Sequence, residues 1–141
     1  MKKWTVLCYG CAPWLVGYLL GLLGLDENFV GLGLIHGLML LFWIWLSGVA
    51  WKQLGNWKSA VLWLNLPAMV LSLGTFLCMG SSMGFWGDLF IVPGDVFFLP
   101  IHWLGHLFTP WCQLAYVLSA AMMVGVSALT CELLEKKKKA A

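Results

Sequence analysis

The heptapeptide Lys52-Gln53-Leu54-Gly55-Asn56-Trp57-Lys58 is a short polar connection between two long apolar runs, Phe29–Trp51 and Ser59–Gly80. A transmembrane helix needs about 20 mostly apolar residues, and both runs reach that length. Lysines mark cytoplasmic connections, because translocation of positive charge across a membrane is disfavoured. The heptapeptide therefore predicts a hairpin of two transmembrane helices whose connection faces the cytoplasm.

Two further apolar runs flank this hairpin, Trp4–Leu25 before it and Pro110–Cys131 after it. The 141-residue chain is 62% hydrophobic and 10% charged, whereas soluble domains are about 45–50% apolar and about 25% charged. This composition excludes an ordinary soluble domain, a disordered tail and a disulfide-stapled secreted module. We predict one membrane domain over residues 1–141, an all-α bundle of four transmembrane helices over about 4–25, 29–51, 59–80 and 110–131.

The distribution of charge predicts the orientation of this bundle. With four spans, both termini and the 52–58 connection lie on one side, and that side holds eight lysines and two acids, a net charge of +6. The other side holds four acids, a net charge of −4. The lysine-rich side is expected to be cytoplasmic, so both termini are inside and residues 132–141 form a cytoplasmic lysine tail. Because the chain has no arginine and no basic face, nucleic-acid binding is not expected.

Residues 81–109, between the third and fourth spans, contain a tandem repeat. Gly87–Pro93 and Gly94–Pro100 both read Gly-Asp, an apolar residue, Phe, two apolar residues and Pro. Proline removes a backbone donor, so Pro93 and Pro100 argue against one continuous helix. We predict a segment that lies along the outer interface or re-enters the bilayer, with Asp88 and Asp95 facing water.

Two histidines follow the repeat and give the chain its candidate metal site. His102 and His106 are four residues apart and share one face if the segment is helical. That spacing can supply two metal ligands, with His36 or an acid such as Asp95 as a third. The alternative is a pair of interfacial histidines that are solvated or hydrogen-bonded. A chain without a cofactor is the main expectation, and a bound metal ion is the alternative.

Glycines at four-residue spacing occur in the first two spans, as Gly17 and Gly21 and as Gly33 and Gly37. Small residues at this spacing let two helices approach closely within a membrane. Both pairs flank one short turn, so we predict a tight hairpin of the first and second spans. A face that pairs two copies of the chain is the alternative.

The cysteines give a weaker structural signal. Cys78 and Cys112 both fall near the outer ends of spans, where a disulfide is a candidate. Cys8 and Cys11 form a CxxC motif at the inner end of the first span, and we interpret them as ordinary buried thiols rather than as a redox pair.

These features favour a non-catalytic membrane subunit or interaction protein, held in the lipid bilayer with a membrane-protein partner or a second copy. Two other classes stay open, an oligomeric carrier or pore for small solutes or ions, and a metal-binding or redox membrane protein centred on His102 and His106. The expected location is a plasma or bacterial inner membrane. The final residues Lys138-Lys139-Ala140-Ala141 resemble the dilysine retrieval signal of eukaryotic endoplasmic-reticulum proteins, which makes that membrane the alternative.

Overall fold

A computed structural model describes residues 2–23, 29–78, 85–101, 105, 108–109 and 111–140 of the chain. The described helices, in chain order, are α1 (Lys2–Gly10), α2 (Ala12–Leu22), α3 (Phe29–Leu54), α4 (Trp57–Cys78), α5 (Phe85–Phe98) and α6 (Cys112–Ala140). Four helical stretches are long and apolar enough to cross a membrane: Lys2–Leu22, Leu34–Leu54, Trp57–Cys78 and Leu114–Ala140. The prediction of an all-helical chain with four such helices is confirmed.

The first of these stretches is broken at Cys11, between α1 and α2. The backbone N–H of Cys11 donates to the carbonyl of Cys8 at 3.1 Å, which tightens the last turn of α1. Pro13 lies in the first turn of α2, where a missing N–H leaves no helical hydrogen bond unmade. The break is therefore where one helix ends and a proline starts the next.

Helix α4 is the central helix of the bundle, because it packs against α1, α3, α5 and α6. Its residues Leu64 and Ala68 are fully buried in the main apolar core, with Trp43 of α3 and Met123 of α6. Pro67 lies inside α4. A Cβ atom on Gly10 would collide with the carbonyl of Leu64, so α1 and α4 approach backbone to backbone at this point.

The lysine-bearing segments come together at one end of the bundle, which we call the lysine end and which carries Lys2, Lys3, Lys52, Lys58 and Lys136–Lys139. The Nζ of Lys3 lies 5.6 Å from the ring centre of Trp63, and the Nζ of Lys138 lies 5.8 Å from that of Trp51. Cation–π contacts of this kind join the start of α1 to α4 and the end of α6 to α3.

Helix α6 extends beyond the predicted span and continues through the lysine tail to Ala140. Two ion pairs at four-residue spacing support this extension, Glu132 with Lys136 at 2.8 Å and Glu135 with Lys139 at 3.8 Å. Glu135 also accepts a hydrogen bond of 2.9 Å from the indole Nε1 of Trp51. Residues 132–140 are thus an ordered part of the bundle as well as a lysine cluster.

The four glycines predicted to pack the first two spans together behave differently from one another. Gly17 lies against the carbonyl of Val96 and the ring of Pro100, which belong to α5 and the turn after it. Gly21 and Gly37 face open space, and the surroundings of Gly33 lie outside the description. The predicted hairpin is therefore wrong for Gly17, whose partner is α5 rather than α3. A face between two copies at Gly21 and Gly37 stays a prediction.

The two glycines of α2 give a matched test of this packing. We expect Gly17→Ala to lower the free energy of unfolding by about 1–3 kcal/mol, because the new methyl group meets the backbone of α5. Gly21→Ala meets nothing within 4 Å, and alanine is the better helix former by up to about 1 kcal/mol. The free energy of unfolding of each variant is measured by reversible unfolding in detergent micelles. An equal effect of the two substitutions would contradict the close approach of α2 and α5.

Candidate functional site

Helix α5 packs into the bundle beside the end of α4. The hydroxyl of Thr75 donates to the carbonyl of Phe90 at 3.0 Å. The Phe90 ring covers Gly74, and Thr75 fills the space where Gly94 has no side chain. Small residues on both helices therefore permit a contact that larger side chains would prevent.

The expectation that Pro93 interrupts the helix is wrong, because α5 continues through it to Phe98. Pro93 removes a backbone donor inside the helix. The Thr75 hydroxyl donates to the carbonyl of Phe90 in the turn before Pro93, and the next residue, Gly94, lies tightly against Thr75. The packing of α5 against α4 thus offsets the loss of helix stability at Pro93. The helix does end before Pro100, as the restriction on residues preceding proline predicts.

The turn at 99–101 after α5 and the backbone of Gly105 are held in the bundle by Ser119 of α6. The buried Ser119 hydroxyl accepts a hydrogen bond of 3.1 Å from the N–H of Gly105 and lies 3.3 Å from the carbonyl of Ile101, to which it donates. Ser119 is seven residues after Cys112, about 10 Å along α6. Residues 85–101 therefore run into the bundle from the end opposite the lysine end.

This arrangement places the carboxylate of Asp95 beside α6. The hydroxyl of Tyr116 donates to Asp95 at 2.6 Å. The Tyr116 ring stacks on the buried ring of Phe98, with centroids 5.1 Å apart and planes 15° apart. Asp95 is exposed, and it lines a cavity of about 330 Å³ between α2 and α5. We call this cavity the Asp95 groove. The side chain of Asp88 lies outside the description, and the prediction that both acids face water is not tested.

A second groove follows the seam between the first helical stretch and α3. Two cavities of about 800 and 340 Å³ lie along it, and Phe42 lines both. The α3 residues that line them recur at helical spacing: Ile35, Leu38, Met39, Phe42, Trp45, Leu46 and Val49. We call this the seam groove, and at 1.5 Å per residue it is about 21 Å long.

Cys8 and Cys11 line the wider part of the seam groove and are both exposed. The two thiols are therefore not buried within the bundle, and their interpretation as ordinary thiols rather than as a redox pair stays a prediction.

The candidate metal ligands are not brought together in the part of the chain that the structure describes. His36 lies in α3 and is 5% exposed. Asp95 lies in α5 and accepts a hydrogen bond from Tyr116 of α6. Among the described side chains, no group of three or more His, Cys, Asp or Glu is placed to hold a metal ion. His102 and His106 lie outside the described residues, so the metal site stays a prediction.

The candidate disulfide also stays a prediction. Cys78 is buried at the last residue of α4, and the side chain of Cys112 lies outside the description.

Sequence reasoning missed Thr75, Tyr116 and Ser119, which position the segment after α4. Tyr116 and Ser119 are three residues apart in an otherwise apolar stretch, and such a pair shares one helix face. That spacing is a signal for a polar contact inside the bundle. The partners of these three residues lie 14 to 21 residues away in sequence, and no local pattern identifies them.

Comparisons with protein-family models, curated proteins and solved structures find no match to this chain, so its function is inferred from the geometry.

The role of Ser119 is tested by Ser119→Ala. We expect a loss of about 1–3 kcal/mol in the free energy of unfolding, because the buried N–H of Gly105 loses its acceptor. Ser72→Ala is the control, since the buried Ser72 hydroxyl bonds to the Met69 carbonyl of its own helix, and it should cost less than about 1 kcal/mol. Detergent-micelle unfolding curves compare the two. A larger loss for Ser72→Ala would contradict the assigned role.

Proposed function

We propose that this chain is a non-catalytic membrane subunit that binds a transmembrane helix of a partner protein in its seam groove. The observation that carries this proposal is the groove itself, an apolar channel about 21 Å long between the first helical stretch and α3. A membrane-spanning helix is the one backbone element that satisfies all its own hydrogen bonds in lipid. It therefore suits a long groove with apolar walls.

The orientation we propose places the lysine end in the cytoplasm. The cation–π contacts of Lys3 and Lys138 support this orientation, because they gather the positive charge of three separate segments at one end of the bundle. Helix α5 then enters the bilayer from the outer side as a re-entrant segment. The backbone turn that follows it is buried against protein, which is the condition for irregular backbone at membrane depth. A plasma or bacterial inner membrane is the proposed location.

The walls of the seam groove favour a protein helix over a cofactor. Its large side chains are aromatic and aliphatic, and Leu15, Leu38 and Trp45 are each about half exposed or more. Side chains at i, i+3, i+4 and i+7 on α3 present the ridge pattern into which another helix packs. Aromatic residues in such a setting are typical anchors of protein interfaces.

A photoreactive amino acid at Leu38 tests this proposal. Leu38 in the groove and Leu129 on α6 are matched, because their side chains are 65% and 61% exposed. In native membranes, we expect position 38 to give a discrete adduct with an apolar membrane-spanning peptide of another protein, identified by mass spectrometry. Position 129 should give lipid adducts.

Filling the groove provides the control. Val16 faces Leu38 across the groove, so Val16→Trp should abolish the adduct at position 38. Lipid adducts alone at position 38, or an adduct that survives Val16→Trp, would contradict the proposed site. An adduct with a second copy of the chain would show that the groove pairs two copies of this chain and does not bind a different protein.

A further inference from the structure

Asp95 is an acidic side chain in apolar surroundings within the end of the bundle opposite the lysines. Its groove is lined by Gly17, Tyr18, Leu22, Val96 and Leu99. Val96 contacts Gly17, which is five residues, or about 7 Å, before the end of α2. Tyr116, which donates a hydrogen bond to Asp95, lies four residues, or about 6 Å, after the start of α6. The carboxylate is therefore below the helix ends rather than beyond them.

A carboxylate at such a depth in a bilayer is costly, and residues of this kind in membrane proteins mark ligand or ion sites. The chain supplies no permanent positive charge at this end. It contains no arginine, and all eight lysines belong to segments at the opposite end of the bundle. Among the described residues at this end of the bundle, none carries a permanent positive charge, so we infer that another molecule supplies a counter-charge to Asp95.

The walls of the Asp95 groove indicate what kind of molecule this is. A hard metal ion takes six or more oxygen ligands, whereas the groove offers one carboxylate among apolar side chains. Tyr18 is the aromatic side chain among its lining residues, and the Tyr116 hydroxyl bonds to the carboxylate of its Asp95. Tyr18 stacks on Trp14 with centroids 6.0 Å apart, and Tyr116 stacks on Phe98. Aromatic faces attract organic cations and also bury apolar groups.

We propose that the Asp95 groove binds an amphiphilic organic cation, whose charged centre pairs with the Asp95 carboxylate and whose apolar body lies against Tyr18 and the aliphatic wall. Tyr116 is a positioning residue, because its hydroxyl holds one carboxylate oxygen at 2.6 Å. Gly21 keeps the α2 side of the groove open, since a Cβ atom there would meet nothing within 4 Å. This site is separate from the seam groove and does not depend on the proposed partner helix.

Tetraphenylphosphonium is a suitable probe, because it is a permanent cation with an aromatic surface. Equilibrium dialysis of the full-length chain in detergent should show saturable binding. We expect Asp95→Asn to weaken this binding at least about tenfold, by removing an ion pair in a medium of low effective dielectric constant. Tyr116→Phe should weaken it about threefold, the effect of one lost hydrogen bond. Asp88→Asn is the control, since it removes a carboxylate from the same helix and should change binding less than about twofold.

Equal losses for Asp95→Asn and Asp88→Asn would overturn the proposal, because they would indicate diffuse attraction by negative charge. Unsaturable binding to the unmodified chain would also overturn it. Labelling of the unmodified chain by an apolar carbodiimide keeps the test independent of folding of the variants. Tetraphenylphosphonium should protect Asp95 from the carbodiimide, and unchanged labelling of Asp95 would overturn the proposal.

Discussion

Close backbone approach is the constraint on which this bundle depends. Lipid tails are as apolar as leucine, so helices in a bilayer associate through tight van der Waals packing and hydrogen bonds rather than through the hydrophobic effect. Helix α5 meets this constraint at Gly17, Gly74 and its own Gly94, where the neighbouring helices leave no room for a side chain. The hydroxyl of Thr75 supplies a hydrogen bond at the same place. Helix α2 packs against α5, and the seam groove lies between the first helical stretch and α3.

The sequence predicts the four long helices and the chain segments that lie together at one end, and the reasons are physical. Apolar runs of membrane-spanning length identify the four long helices, with ends that differ by at most three residues except at the end of α6, which lies nine residues further on. The lysine clusters predict which chain segments lie together, and the contacts of Lys3 with Trp63 and Lys138 with Trp51 place those segments at one end. Both signals are carried by composition over many residues, so they do not depend on which side chains touch. The continuation of α6 to Ala140 is harder to predict from sequence, because it is supported by a hydrogen bond between Glu135 of α6 and Trp51 of α3.

The candidate site was harder to predict, because it depends on pairs of residues that are distant in sequence. Proline is a poor helix residue, and Pro93 therefore suggested an interruption, yet the contact of Gly94 with Thr75 stabilises the helix through it. The glycine spacing of Gly17 and Gly21 identified a close-packing residue but not its partner, since a small residue allows approach by any helix. The charge pattern predicts that Asp95 is an outer acid, but it does not predict its hydrogen-bond partner. Its bond to Tyr116 required the tertiary position of α5.

The most direct test of this account is a disulfide between α4 and α5. A Cβ atom on Gly94 would lie 3.5 Å from the Cβ of Thr75, which is within the range for a disulfide. In a background without the native cysteines, Thr75→Cys combined with Gly94→Cys should form an intramolecular disulfide upon mild oxidation in native membranes. Thr75→Cys combined with Gly21→Cys should not, because nothing lies within 4 Å of a Cβ at position 21. Free thiols at both 75 and 94 after oxidation would contradict the placement of α5 inside the bundle.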